Sequence, residues 1–315
     1  MMRVRAFDAG TLRDGDASLL GAPGFTWVDV DQPDLATLAA LGERYGLHKL
    51  ALDDCLHLDQ RPKLEEYPGH QFIVLQGFTC PEASLDEPEL HELHLFLGPG
   101  WLISVHQRTH PALAAVHQRV AQDPAGTLGR GVDFVAYLLA DALVDEHFPL
   151  LDRYNDAVEA LEERIFTERP TSALMHRAFD LKRSLVQLKR VLSPQRDVLG
   201  LLARHGVNQV SEKTSLYFRD VYDHLVRIAE QLEASRDLVG NAVDAYLSVV
   251  ANRTSDVSKQ LTLFASVFMP LSFVVGFFGQ NFEGLGQRPF FWVMLSLLGL
   301  IPLGTLLWFR HKDWL

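Results

Sequence analysis

The sequence predicts an α+β membrane protein, with an N-terminal α/β domain, a long helical stalk and a C-terminal hairpin of two membrane-spanning helices. Three observations carry that prediction. Two runs near the C-terminal end, 260–282 and 289–309, hold no charged residue. Upstream, no proline occurs between Pro194 and Pro270, and a heptad seam crosses that stretch. The first 130 residues instead mix alternating and amphipathic segments.

Composition narrows the function. The chain has 315 residues, enough for two or three modules, and a formal net charge of −11. A phosphate backbone would be repelled, so nucleic acid is excluded as a partner, whereas an acidic surface concentrates cations. The cysteines, Cys55 and Cys80, fit a reducing compartment as small buried residues. The N-terminus, Met1-Met2-Arg3-Val4-Arg5, has no apolar run, so no secretory signal is expected.

In the N-terminal part, residues 3–7 and 26–31 alternate as strands do, and 34–45 is an amphipathic helix. Residues 71–79 and 93–105 are rich in strand formers, with Gly98-Pro99-Gly100 as a hairpin turn. The chain has no Gly-rich phosphate loop, Gly-x-Ser-x-Gly elbow or Cys-x-x-Cys, and so gives no ground for an enzyme. In His91-Glu92-Leu93-His94 the histidines are three apart, where the helical zinc pair needs four.

Two helical stretches follow, 132–167 and 172–205, separated by the stop-and-cap signal Arg169-Pro170-Thr171-Ser172. They read as an antiparallel hairpin whose acidic tip (Glu159, Glu162, Glu163, Glu168) is a solvated face. Then Val221, Leu225, Ile228, Leu232, Ser235, Val239, Ala242, Tyr246 and Val249 keep a 4-3 spacing toward the membrane. A helix over 213–278 would be roughly 100 Å long at 1.5 Å per residue. Its seam can pack against helices of the same chain, against copies, or both.

A hydrocarbon core about 30 Å thick needs roughly 20 helical residues, which both uncharged runs supply. The turn between them, 283–288, is short and charged at each end, so the helices are antiparallel. Arg253 and Lys259 precede the first run, and Arg310 and Lys312 follow the second, while the turn has only Arg288. The positive-inside rule places both termini in the cytoplasm. The expected organisation is a cytoplasmic α/β domain (1–130), a helical hairpin (131–210), a stalk helix (211–259), a first membrane helix (260–282), an outer loop (283–288), a second membrane helix (289–309) and a cytoplasmic tail (310–315).

Several segments resemble one known family. Val267-Phe268-Met269-Pro270-Leu271, Gly276-Phe277-Phe278-Gly279-Gln280-Asn281-Phe282-Glu283 and Lys312-Asp313-Trp314-Leu315 are similar to the CorA magnesium transporter family. So are Gln60-Arg61-Pro62-Lys63, Asp141-Ala142-Leu143-Val144-Asp145 and Tyr217-Phe218-Arg219-Asp220-Val221-Tyr222-Asp223-His224, so the resemblance covers residue 50 onward. The family's hallmark is Gly-Met-Asn, and this chain has Gly279-Gln280-Asn281. The zinc-transporting ZntB branch also varies the middle position, so a ZntB-like zinc transporter, proton-coupled, stands as the alternative to Mg2+ with Co2+ or Ni2+.

The resemblance implies a funnel-shaped homopentamer in the inner membrane, with the first membrane helix lining the pore and the second facing lipid. Ser258, Leu261, Ala265, Met269, Ser272 and Gly276 recur every three or four residues and form one carboxylate-free face. Phe264, Phe268, Phe273 and Phe277 flank it. Leu261 and Met269 would form apolar rings able to gate by dewetting. Gly279, Gln280 and Asn281 would form the filter, Gly279 allowing a close backbone approach or a positive φ, and Glu283 would gather cations at the entrance. The resemblance further implies sensing of internal divalent ions by Asp220, its neighbour-subunit partner Asp54, and Asp141. No cofactor is expected; Mg2+ or another divalent cation is both substrate and regulator.

Overall fold

The computed structural model describes residues 1–57, 59–79, 89–108, 111–279 and 288–312. They form two compact units, Met1–Val243 and Asp244–Leu315.

The first unit opens with a seven-stranded sheet: β1 (Met2–Asp8), β2 (Thr11–Gly15), β3 (Phe25–Asp31), β4 (Lys63–Tyr67), β5 (His70–Thr79), β6 (Glu89–Gly98) and β7 (Trp101–His106). Its order is β2-β1-β3-β7-β6-β5-β4. Only β3 and β7 pair in parallel, which places Asp29 beside Ser104 and Asp31 beside His106. The expected strands at 3–7, 26–31 and 71–79 lie inside β1, β3 and β5, and the hairpin turn at Gly98-Pro99-Gly100 joins β6 to β7. Gly100 has φ +80°, a left-handed conformation that suits glycine.

Helix α1 (Leu35–Tyr45) starts where Asp34 caps it, the carboxylate accepting from Thr37 N–H at 2.6 Å, and it ends at left-handed Gly46. Leu38 and Leu41 of α1 and Ala51 of the short α2 (Lys49–Asp54) pack with Val28, Phe72, Val74, Phe96 and Ile103 from the sheet. Cys55 joins this core at 1% exposure and donates to Ala51 O. Cys80 lies outside the described residues. Burial and the neighbouring Asp54 push the Cys55 thiol well up, which makes it an inert core residue.

Beyond the sheet come α3 (Pro111–Gln122), α4 (Val132–Asp145), α5 (His147–Thr167), α6 (Ser172–Leu202) and α7 (Glu212–Phe278). Sequence reasoning expects one helix over 132–167, but two occur, α4 and α5. The reason is local: Pro149 has no N–H to return to the Asp145 carbonyl, and proline is tolerated only in a first turn. The two helices also differ in burial. Residues 132–140 of α4 are buried on every side, as a segment in contact with β3, β5, β6 and β7 must be. Helix α5 is amphipathic, burying Leu150, Leu151, Tyr154, Val158, Leu161 and Ile165. Its acidic end is solvated, and Glu168 pairs with Arg164 at 2.8 Å.

Helix α7 follows the predicted seam closely. Val221, Leu225, Ile228, Leu232, Ser235, Val239 and Ala242 are each no more than 3% exposed within one chain, while Tyr246 and Val249 are half-buried. Ser235 Oγ bonds Asn155 Oδ1 of α5 at 2.5 Å, and Lys189 of α6 pairs with Glu233. Up to Ala242, the seam packs inside the chain.

The second unit holds the end of α7 and helix α8 (Arg288–His311). Each contains an 18-residue apolar window, of which 6% and 0% respectively is buried. Among the described residues of these two segments, only Val274 and Phe309 are buried. Helices of this length and composition can cross a bilayer.

Candidate metal centre and pore helix

One group of side chains in the first unit could hold a cation. Asp141 and Asp145 are four apart on α4, and Asp220 and His224 are four apart on α7, so each pair shares a helix face. Asp141, Asp145 and His224 each offer a ligand atom, all within 4.8 Å of one another. It is the only such group of three among the described residues. His224 Nδ1 lies 3.9 Å from Asp145 Oδ1, and Nε2 lies 4.0 Å from Asp220 Oδ2. Phe148 meets the His224 ring edge-on at 5.7 Å.

The electrostatics show an excess of negative charge. Burial and the adjacent Asp145 raise the Asp141 pKa, with Asp220 adding to the rise, against the lowering effects of Tyr137 and His224. Tyr137, whose OH donates to Asp141 Oδ2 at 3.3 Å, is pushed up to about 12 by burial and the Asp141 charge. His224 Nδ1 is buried without a hydrogen-bond partner among the described residues. An orphaned imidazole nitrogen beside mutually repelling carboxylates fits a divalent cation: the carboxylates suit Mg2+, and the imidazole suits Co2+, Ni2+ or Zn2+.

Of the three predicted sensor residues, Asp141 and Asp220 meet here. Asp54 does not join them within one chain. At the end of α2, it accepts from Lys63 Nζ at 2.7 Å, and Lys63 also reaches Glu65 at 2.8 Å. Burial lowers the Lys63 pKa, but Asp54 and Glu65 more than restore it, so the net shift is upward. Asp145 and His224 are absent from the predicted set, although the i,i+4 spacing of Asp141 with Asp145 and of Asp220 with His224 would have found both. His91, Glu92 and His94 lie on β6 instead of a helix, and Glu92 is engaged by His94 and by the backbone N–H groups of Asp59 and Gln60.

The predicted pore face can be followed along α7. Ser258, Leu261, Ala265, Met269, Ser272 and Gly276 are all exposed in the single chain, Leu261 at 69% and Met269 at 71%. Phe264, Phe268, Phe273 and Phe277 are exposed beside them, with Phe264 stacked on Phe268 and Phe273 on Phe277. The less exposed positions, Leu263, Ser266, Val267, Pro270, Leu271, Val274 and Phe278, form a third stripe. Gly279 N–H closes the last turn on Val275 O at 2.9 Å. Its φ is not positive, so the left-handed role expected for this glycine does not apply; a Cβ here would sit 2.9 Å from the Val275 carbonyl of its own last turn. Gln280, Asn281 and Glu283 lie outside the described residues.

Comparison with known proteins is consistent throughout the chain. A family model described as CorA-like Mg2+ transporter protein matches residues 23–311, starting earlier than the motifs alone indicate. The cobalt/magnesium transport protein CorA of Thermotoga maritima is 36% identical over 294 residues, covering 92% of this chain and 83% of its own length. The complete structure of the CorA magnesium transporter from Methanocaldococcus jannaschii superposes with a TM-score of 0.86 at 20% identity, over 100% of this chain and 99% of that one. The ZntB cytoplasmic domain from Vibrio parahaemolyticus shares the fold of that part, with a TM-score of 0.64 at 16% identity, over 80% of this chain and 98% of that one.

Proposed function

The chain belongs to the CorA-like family of metal-ion transporters, and on that premise we propose that it is a divalent-cation channel of the inner membrane, with Mg2+ as its principal ion. The observation that carries this reading is the exposed face of α7 from Ser258 to Gly276. It holds small, polar and flexible side chains and no carboxylate. Mg2+ dehydrates reluctantly, so a conduit that offers hydrogen-bond acceptors without charged ligands lets a hydrated ion enter and leave.

Two helices cannot enclose a conduit, so several copies must surround it. Five is the number the family resemblance suggests. In that assembly the α7 faces line the pore, with α8 outside against lipid. Gly279 backbone carbonyls and the amides of Gln280 and Asn281 form the outer filter, and Glu283 gathers cations before it. With both termini in the cytoplasm, the membrane potential drives uptake with about 4.6 kcal/mol per doubly charged ion per 100 mV.

The Asp141–Asp145–His224 group with Asp220 is the internal sensor. A bound cation cancels the Asp145 and Asp220 repulsion that adds to burial in raising Asp141, and the cation-bound state closes the pore. Asp54 completes the sensor across a subunit boundary, exchanging Lys63 for a shared cation. A second reading, zinc transport coupled to protons, is favoured by Gln280 in place of methionine and by the imidazole of His224, a good zinc ligand. Potential-driven uptake of Mg2+ into proteoliposomes tests the channel reading, and absence of divalent flux overturns it.

A further inference from the structure

The parallel β3–β7 pair builds a second polar group, away from the sensor and from α7. Asp29 and Asp31 point to the same face of β3 as Ser104 and His106 on β7. The carboxylate of Asp29, a residue 8% exposed, accepts from Ser104 Oγ and from His117 Nε2 of α3 at 2.9 Å. His106 Nε2 lies 3.2 Å from Asp29 Oδ1 and 3.3 Å from Oδ2. The other nitrogen of the same ring, Nδ1, lies 2.9 Å from the Arg108 carbonyl oxygen and 3.6 Å from Asp31 Oδ1.

Every one of these neighbours of His106 is an acceptor. A neutral imidazole carries one N–H and would leave a lone pair against a carboxylate or a carbonyl. Two N–H groups satisfy both sides, and only the imidazolium has two. From this geometry we propose that His106 is a proton-binding site, held as imidazolium between Asp29 and the Arg108 carbonyl at a pH where an exposed histidine is neutral.

The surroundings agree. The charged groups lining the surrounding cavity are Asp29 and Asp31 of β3, Arg3 and Arg5 of β1, Asp14 of β2, Asp16, the Met1 ammonium and His117 of α3, with the Arg108 backbone beside the ring. The cations are otherwise occupied: the Met1 ammonium donates to the Asp31 carbonyl and Arg3 to Asp14. Arg5 donates to Asp14 at 3.1 Å and to the His117 carbonyl at 2.6 Å, and Arg108 pairs with Glu89 at 2.7 Å. Burial lowers the His106 pKa, but the Asp29 hydrogen bond and charge, with the Arg108 carbonyl and Asp31, outweigh it and the net shift is upward. Asp29 is pushed up by burial and pulled well below the usual carboxylate range by His106 and His117.

The two histidines have different requirements. His117 stacks on Trp27 at 4.2 Å and 13°, and its Nδ1 is buried without a partner among the described residues. Only its Nε2 meets an acceptor among the described residues, the Asp29 carboxylate. Because folding raises His106, its stabilising effect is complete below the unfolded value near ~6.5 and is lost as pH rises through the folded value. The bound proton then ties the end of β7 and the Arg108 backbone to β3, and alkaline pH releases them.

Histidine C2–H exchange followed by mass spectrometry, on the full chain in detergent from about pH 5 to about pH 9, reads each histidine separately. The expected result is a His106 midpoint above ~6.5. Asp29→Asn should weaken His106 proton binding by about tenfold or more, one pH unit or more. A wild-type His106 midpoint at or below ~6.5 overturns the proposal, and so does a midpoint unmoved by Asp29→Asn in a folded variant. The wild-type midpoint needs no substitution, so misfolding of Asp29→Asn would still leave it to decide.

Discussion

Replacing Asp141 with asparagine should have two effects of opposite sign. The substitution keeps the acceptor for the Tyr137 hydroxyl and removes one negative charge within 4.8 Å of Asp145. Two like charges at about that distance repel by roughly 1 kcal/mol in a water-like dielectric and roughly 3.5 kcal/mol at an effective constant near 20. The Asp145 side chain is 59% exposed, so the lower figure applies. Metal-free Asp141→Asn should therefore be about 1 kcal/mol more stable than wild type, raising Tm by roughly 2–4 °C. The gain also depends on pH. Because folding raises Asp141, the wild-type penalty is absent below about pH 4, grows as pH rises above that unfolded value and is complete above the raised folded value, whereas the variant lacks it. The bound state moves the other way. A cation at about 100 times its Kd stabilises by about 2.7 kcal/mol; if losing one of three ligands weakens binding about a hundredfold, about 0.4 kcal/mol remains. Thermal unfolding of the full chain in detergent, in chelator and then in Co2+, measures both. An unchanged Co2+ shift in the variant would refute the assignment of Asp141 as a ligand, and a less stable metal-free variant would refute the repulsion.

Three further outcomes can be checked by direct measurement. In flux assays, Asn281→Ala should reduce selectivity or transport far more than Gln280→Met; equal and negligible effects would mean the filter lies elsewhere. Asp220→Lys should weaken closure by high internal divalent ion, and unchanged inhibition would remove Asp220 from the sensor. Leu225→Ala, at a seam position with 0% exposure, should cost about 2–5 kcal/mol, measured by denaturant unfolding. A loss below about 0.5 kcal/mol would contradict the packing of the seam within one chain.

The long elements were legible because their signals are long. Nine seam positions and a proline-free run predict α7 within one residue of its observed start at Glu212. Both uncharged runs fall where the apolar helices lie, except for 280–282 and their connection, which are not described. The edge strands were not legible. In β4, Lys63-Leu64-Glu65-Glu66-Tyr67 is more than half charged, and in β2 Thr11-Leu12-Arg13-Asp14-Gly15 is mostly polar. Edge strands carry charge that blunts further pairing, and such composition resembles a loop. Arg3 and Arg5 on β1 pair with Asp14 of β2 only because the register brings them together. Helix α2 is six residues long, too short for periodicity. Helix α3 does carry an apolar face in its sequence, Ala112, Leu113, Val116 and Val120.

The candidate site divides along the same line. Asp141 and Asp220 stand out through family resemblance. Asp145 and His224 require a second step, noticing that each lies one helical turn further on the same face. The approach of α4 to α7 is a tertiary fact, carried by the burial of α4 and of Phe218 and Val221 on α7. The acceptors around His106 are likewise brought together by strand order, since Asp29 and His106 are far apart in the chain and adjacent only through the parallel β3–β7 pair.

Cation uptake into proteoliposomes under an imposed inside-negative potential, comparing Mg2+, Co2+ and Zn2+ with and without a pH gradient, tests the channel reading most directly. Potential-driven Mg2+ uptake that does not depend on the pH gradient is the predicted result. Zinc uptake that requires the pH gradient, or no uptake of any of the three, would contradict it.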